Sequence, residues 1–440
     1  MRQKNLYLLT FGCQMNVYDS ERISQLLSAR NYRLVEEPAE ADLIFLNTCS
    51  VREKAEQKTY SALGRFRGLK KRNPELIIGI GGCVAQQEGE KLLQRVPYLD
   101  FVLGTKELPR INQLLDDLEA FGKRGVAITL DSEVNPYTSL PLCPSPAKAT
   151  AFVSIMQGCD NFCSYCVVPF VRGREVSRPS VEILEEIQAL STRRVKEVTL
   201  LGQNVNSYGK KTQGELTFVQ LLRAIQGIAG IERIRFTTSH PKDLSPDLVA
   251  AFGKLSKLCE HIHLPLQSGS NRILERMNRG YRREEYLRKV LDLRRTCPEI
   301  SITADIIVGV PGEEEEDFQA TLEMMERVQF DDLFSFKYSD RPNTRASQFS
   351  DKIPEAVSRR RLMELQALQR RITFMRNKAW EGREVEVLVE GRSKANSKEL
   401  MGRTRSNRIV NFPGDPSWTG SLMRVRVQEA FAHSLRGEAL

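Results

Sequence analysis

The chain has no apolar run of the length a membrane-spanning helix needs. Its opening, MRQKNLYLLTFGC, starts basic, but the apolar stretch is short and leads into a glycine turn. That reads as a first strand rather than a secretory signal, so a cytoplasmic protein with no membrane partner is expected. Histidine is scarce, with four in 440 residues, too few and too scattered to complete zinc sites with cysteine. An oxidising compartment is not indicated, so the nine cysteines are not expected to form disulfides; metal binding or catalysis is the better use for them. Disorder is excluded by composition, 41% hydrophobic and 28% charged. The formal net charge of +9 suits a polyanionic partner such as nucleic acid.

Three patterns follow one another along the chain. Up to about residue 130, apolar strands ending at a turn alternate with helices: LYLLTFGC, DLIFLNTC, LIIGIGGC and DFVLGT. Such alternation predicts a parallel sheet covered on both faces. Residues 131–149 are proline-rich and aperiodic, a linker; Cys143 within them has no partner nearby and is read as incidental. From 150 to 376, five to six further strand–helix units predict a full or partial (β/α) barrel. A long amphipathic helix ends this unit, with Leu362, Leu365, Leu368, Ile372 and Met375 on one face and Arg359, Arg360, Arg361, Arg370 and Arg371 between them. From 377 to 440 the period changes to two, as in EVEVLVEG, predicting a small five-stranded barrel of the OB type. Arg403, Arg405 and Arg408 lie in one segment of it, and small basic β-barrels often bind RNA. The fold class expected is therefore α/β multidomain, ending in an all-β module.

The cysteines carry the chemistry. Cys159, Cys163 and Cys166 fall in CDNFCSYC, after the strand AFVSIMQGC. Zinc sites normally add a second ligand pair downstream, and none follows. Three thiolates on one loop can instead hold three irons of a [4Fe–4S] cube and leave the fourth open to a small molecule. Cys13, Cys49 and Cys83 each sit just past the end of a strand, where ligands gather in parallel sheets. They are expected to share a second site, with three buried structural cysteines as the alternative.

CxxxCxxC after a strand that opens a partial barrel resembles the radical S-adenosylmethionine (radical SAM) enzymes. Together with TFGCQMNVYDSE, NTCSVREKAEQK, GGCVAQQEGE, VVPFVRGRE, LLGQNVNSYG, LPLQSGS and LMGRTRSNRIVNF, it resembles the radical SAM methylthiotransferases over nearly the whole chain. That family has an N-terminal methylthiotransferase domain, a radical SAM core and a C-terminal TRAM domain. Gly12-Cys13-Gln14-Met15-Asn16 is the form seen in the branch acting on N6-isopentenyladenosine in tRNA; the ribosomal-protein branch typically has a GCPKN-like stretch there and the threonylcarbamoyl-adenosine branch GCKVN.

The resemblance implies conversion of N6-isopentenyladenosine at position 37 of tRNA to its 2-methylthio derivative. It implies two [4Fe–4S] clusters, at Cys159/Cys163/Cys166 and at Cys13/Cys49/Cys83, and S-adenosylmethionine as both radical source and methyl donor. An electron donor such as flavodoxin or ferredoxin is expected, with the protein acting as a monomer. By topology and resemblance, Gln203, Asn204, Ser239, Gln267, Gly309, Gly312 and Glu313 are candidate S-adenosylmethionine contacts, with turn chemistry as the alternative. Arg172 and Arg174 are candidates for substrate or cofactor contact, or for a surface ion pair with Glu175. One departure is Asn343, where relatives more often have glycine; it bears on local loop geometry. The same chemistry on a ribosomal protein or on threonylcarbamoyl-adenosine stays open, as does an RNA-binding protein with purely structural clusters.

Overall fold

The computed structural model describes residues 2–50, 53–130, 135–137, 148–394 and 396–440, with backbone alone at 53–56; Cys143 lies outside them. The N-terminal unit is a six-stranded parallel sheet of β1 (Lys4–Thr10), β2 (Tyr32–Leu34), β3 (Leu43–Thr48), β4 (Ile77–Gly82), β5 (Phe101–Leu103) and β6 (Gly125–Ala127), in the order β2-β1-β3-β4-β5-β6. Helices α1 (Gln14–Ser28), α2 (Glu53–Arg72), α3 (Cys83–Glu88), α4 (Glu90–Arg95) and α5 (Ile111–Phe121) connect the strands. The continuous apolar run of β3 is buried along its whole length, as a strand covered on both faces must be. β2 and β6 have three residues each, too short for a periodic signal, and the sequence pattern does not show them.

The central unit begins with β7 (Thr150–Ser154). The expected single strand AFVSIMQGC breaks at Ile155, and β8 (Met156–Gln157) pairs antiparallel with β9 (Val176–Ser177) around the cysteine loop and α6 (Val168–Arg172). β10 (Glu197–Leu201) and β11 (Arg233–Phe236) join β7 in one parallel sheet, and β12 (His261–His263), β13 (Ser301–Val308) and β14 (Asp332–Lys337) form another. A parallel bridge between Ile234 and Leu258 links them into a six-stranded arc, a partial barrel. Its outer layer is α7 (Ser180–Ser191), α8 (Phe218–Gln226), α9 (Pro246–Lys254), α10 (Asn271–Arg276), α11 (Arg283–Thr296) and α12 (Glu315–Val328). The long helix α13 (Glu355–Lys378) buries Leu365, Leu368 and Ile372 in the barrel core, with Leu362 packed against it. Met375 is 57% exposed, and Arg361 is buried instead of lying on a basic face; its guanidinium is 2.8 Å from the Glu313 carboxylate. Asn343 adopts φ +66°, a left-handed conformation that asparagine tolerates where glycine would otherwise serve.

The C-terminal unit is a closed barrel of β15 (Glu384–Arg392), β16 (Glu399–Thr404), β17 (Ile409–Pro413), β18 (Leu422–Ala430) and β19 (Leu435–Ala439), in the order β15-β16-β17-β19-β18. Its β16–β17 turn docks on the amino-terminal ends of the central strands. Arg233 and Arg235, at the start of β11, donate to the carbonyls of Arg403 and Arg405, each at 2.8 Å. Asp331, just before β14, takes both Arg408 and Arg376. Ligands of parallel strands sit at the opposite, carboxyl ends, so this unit plugs the floor of the barrel and leaves its mouth clear.

Candidate metal centres and substrate cavity

The loop from Gly158 to Cys166 crosses the barrel mouth. Gly158 has φ +82°, and a Cβ there would stand 2.0 Å from the Arg174 carbonyl, so only glycine fits. Its N–H donates to Gln203 Oε1 at 2.6 Å, and the Cys159 N–H to the Gly173 carbonyl at 3.2 Å. Phe162 takes φ +45°, a strained geometry for an aromatic residue of the kind that collects at functional loops. Donors converge on the sulfurs: Arg279 Nη1 is 3.3 Å from Cys163 Sγ, and Asn161 Nδ2 is 3.5 Å from Cys159 Sγ. Burial pushes the Cys159 thiol up to about 11 and raises that of Cys166 as well. Thiols so placed stay protonated until a metal displaces the protons.

The N-terminal cysteines share one edge of the sheet. β1, β3 and β4 are neighbours in the sheet, and Cys13, Cys49 and Cys83 follow their carboxyl ends. Cys13 is exposed and caps α1; Cys49 and Cys83 are buried, and Cys83 opens α3. Gly12 has φ +123°, and a Cβ there would lie 2.5 Å from Cys49 Cβ. The close approach of these two segments therefore requires glycine. Burial raises the Cys83 thiol, while the neighbouring Arg172 guanidinium opposes the rise. Among the described residues, no three His, Cys, Asp or Glu side chains converge as ligands of a single ion do. A cubane places each thiolate on a different iron, and two sets of three thiols suit that arrangement better than a closed zinc site.

The two thiol sets are close. Cys83 packs against Val167, which immediately follows Cys166, and against Val171 on α6. Beside the loop, a cavity of about 790 Å³ opens at the barrel mouth, lined by Cys166, Tyr165, Gln267, Asp305, Phe336 and Leu362 among others. Its volume lies in the range of small-molecule sites. Asn204 Oδ1, Ser239 Oγ, His240 Nε2 and Gln267 Oε1 are buried without a partner in the loops after β10, β11 and β12. Buried polar atoms normally find partners, so these four fit a polar cofactor such as S-adenosylmethionine. Burial holds His240 down to about 2, neutral at any working pH.

Other expected residues have different occupations. Gln203 Oε1 is taken by the Gly158 N–H. Glu313 accepts from Arg361 and from the Gly309 N–H at 2.6 Å, latching α13 to the turn after β13, and the Gly312 N–H donates to the Asp351 carbonyl. Arg172 does not pair with Glu175 but with Asp19 at 2.8 Å in the N-terminal unit, both buried. Arg174 pairs with Asp160 and lies over the Phe162 ring. Arg403, Arg405 and Arg408, expected at RNA, have partners within the protein: Arg405 is bidentate to Glu260, Arg408 is buried on Asp331, and Arg403 pairs with Glu390 at 3.0 Å. Arg405 and Arg408 fasten the C-terminal barrel to the floor of the central one, while the Arg403–Glu390 pair lies within the C-terminal barrel. Arg279 and Asp305 escape sequence reading, because neither lies in a motif and folding alone brings Arg279 to the loop and Asp305 to the cavity.

Comparison with known proteins agrees with this arrangement. Residues 5–104 match the model of an uncharacterized protein family, UPF0004; residues 153–325 match the radical SAM superfamily; and residues 378–440 match the TRAM domain. The tRNA-2-methylthio-N(6)-dimethylallyladenosine synthase of Syntrophus aciditrophicus (strain SB) is 54% identical over 438 residues, covering 100% of this chain and 95% of the relative. The chain belongs to that synthase family. The protein of the same name from Geobacter metallireducens is 55% identical, covering 99% of this chain and 98% of the relative. Among solved structures, the radical S-adenosylmethionine methyltransferase TsrM from Kitasatospora setae superposes with TM-score 0.59 at 14% identity, over 79% of this chain and 77% of that one. OxsB, a cobalamin-dependent S-adenosylmethionine radical enzyme, gives TM-score 0.55 at 14% identity, over 82% of this chain and 56% of that one. At that identity these two speak for the fold of the family.

Proposed function

We propose that the chain is a radical SAM methylthiotransferase that converts N6-isopentenyladenosine at position 37 of tRNA to its 2-methylthio derivative. The observation that carries this reading is the packing of Cys83, from one set of three cysteines, on Val167 and Val171, which follow the other set, with a roomy cavity beside that loop. Cys159, Cys163 and Cys166 would hold one [4Fe–4S] cluster and Cys13, Cys49 and Cys83 a second. Bound there, the clusters would supply electron transfer to S-adenosylmethionine and sulfur for the new bond.

The residues of the chain do the positioning. Gln203 and Gly173 fix the backbone of the loop at Gly158 and Cys159, and Arg279 brings positive charge to Cys163. Asn204, Ser239 and Gln267, with His240 beside them, offer unpartnered polar atoms to S-adenosylmethionine. Gly309, Gly312 and Glu313 shape the turn below the cavity. Tyr165, Phe336, Ile307 and Leu362 give the cavity an apolar side for an isopentenyl group, and Gln267 and Asp305 a polar side for an adenine edge. The C2 carbon of adenine is reached only when the base leaves the stack of its loop, and the clear barrel mouth admits it.

The C-terminal barrel, as a TRAM domain, supports tRNA binding. With Arg403, Arg405 and Arg408 occupied, its exposed Arg392, Lys394 and Lys398 are the better phosphate contacts. Domain limits of 1–130, 150–376 and 377–440, a cytoplasmic monomer, and reduction by a flavodoxin or ferredoxin complete the proposal. Nucleoside mass spectrometry of tRNA from a deletion strain tests it. Loss of the methylthio-isopentenyl nucleoside with its return on complementation is expected; an unchanged tRNA profile would move the substrate to a protein.

A further inference from the structure

Arg172 leaves the cysteine loop of the central unit and ends inside the N-terminal one. It is 3% exposed, with Nη2 2.8 Å from Asp19 Oδ2 and Nη1 3.5 Å from the Tyr137 hydroxyl, which itself donates to Asp19 Oδ1. Asp19 lies on α1, the helix that Cys13 caps. The helix that carries Arg172 packs its Val171 on Cys83. Arg172 therefore follows directly the residue that packs on Cys83, and its charge opposes the rise that burial imposes on the Cys83 thiol.

A buried Arg–Asp pair is a weak source of stability, since apolar residues of equal volume would serve as well. Its position explains it better. Arginine has five N–H donors, and Asp19 and Tyr137 take only some of them. Three thiolates and an iron–sulfur core add negative charge to a buried place, and a fixed cation offsets it. Hydrogen bonds to sulfur and nearby net charge both set cluster potentials.

We propose that Arg172 is a positioning residue for the N-terminal cluster, a cation supplied by the radical SAM unit that raises the cluster's reduction potential and makes it depend on docking of the two units. Reduction adds a negative charge, which the guanidinium stabilises. Asp19 moderates that effect and holds the guanidinium in place. This inference rests on the proposed reading of Cys13, Cys49 and Cys83 as cluster ligands.

The test uses the full-length chain, anaerobically reconstituted, in a Cys163→Ala background in which only the N-terminal cluster remains. Its potential is read by redox titration followed by electron paramagnetic resonance. Arg172→Gln is expected to shift the potential negative, and Arg172→Lys to restore it toward the parent value. Asp19→Asn, which keeps the shape and removes the counter-charge, is expected to shift it positive. A structural role alone would not give opposite signs. Should Arg172→Gln not retain its cluster, the Lys and Asn variants decide. An unmoved potential in Arg172→Gln with iron retained, or an Asp19→Asn shift that is absent or negative, overturns the assignment. A Cys163→Ala parent that binds no cluster overturns the reading of the N-terminal thiols, and the assignment with it.

Discussion

Asp331→Asn should loosen the C-terminal barrel without touching either cysteine site. Asp331 is 5% exposed and faces two cations: Arg408, 8% exposed, and Arg376, whose side chain is 33% exposed. It also accepts the Ile302 N–H at 2.9 Å, a bond that an asparagine oxygen can keep. The substitution thus removes charge more than shape. Breaking a buried pair from one side costs about 3–5 kcal/mol, because the partner stays buried and uncompensated. The Arg376 pair, open to water, adds less than about 1 kcal/mol. The two tryptophans of the chain, Trp380 and Trp418, both belong to the C-terminal unit, and Arg408 lies over the Trp380 ring at 4.7 Å. Their fluorescence therefore reports this unit alone. In urea, the tryptophan transition should move to lower denaturant by an amount corresponding to about 3–5 kcal/mol, while iron content holds at the wild-type level. A tryptophan transition within about 1 kcal/mol of wild type would refute the view that these arginines are structural fasteners.

Gly12→Ala should cost the N-terminal cluster, since the added methyl collides with Cys49 at a backbone angle alanine avoids; iron should fall to about half while S-adenosylmethionine cleavage persists. Arg279→Met should weaken the loop cluster instead, because it removes the donor on Cys163 and its bond to the Pro265 carbonyl; faster bleaching under chelator, with the N-terminal cluster unaffected, is the readout. His240 and His261 are both held neutral by burial. Their folded values lie below the ordinary 6.5, so the unfolded chain binds more protons and stability is lost as pH falls below about 6.5, by up to ~1.4 kcal/mol per unit for each histidine. Urea midpoints between pH 7 and 5.5 should show this slope, and His240→Gln should remove the His240 share and leave that of His261.

Much of the fold was legible because its signals are local. Strands ending in Cys13, Cys49 and Cys83 announce a parallel sheet, and the change to alternating Val385, Val387 and Val389 announces the final barrel. The places of the six cysteines in the fold were legible for the same reason, since residue type and topological position are written in the sequence. What escaped depends on tertiary contact. The pairing of Arg403, Arg405 and Arg408 with Glu390, Glu260 and Asp331 joins different elements and is not written in the local sequence. Arg172 looks like a neighbour of Glu175, yet it pairs with Asp19, which lies 153 positions away. Met375 matches the apolar face of its helix, but the barrel ends before reaching it.

Iron and acid-labile sulfide, counted in anaerobically reconstituted protein, test the central claim of two independent three-thiol sites. The wild-type chain should hold about eight irons with matching sulfide, and Cys163→Ala and Cys49→Ala should each hold about four. Zinc without sulfide, or loss of all iron in either single variant, would contradict it.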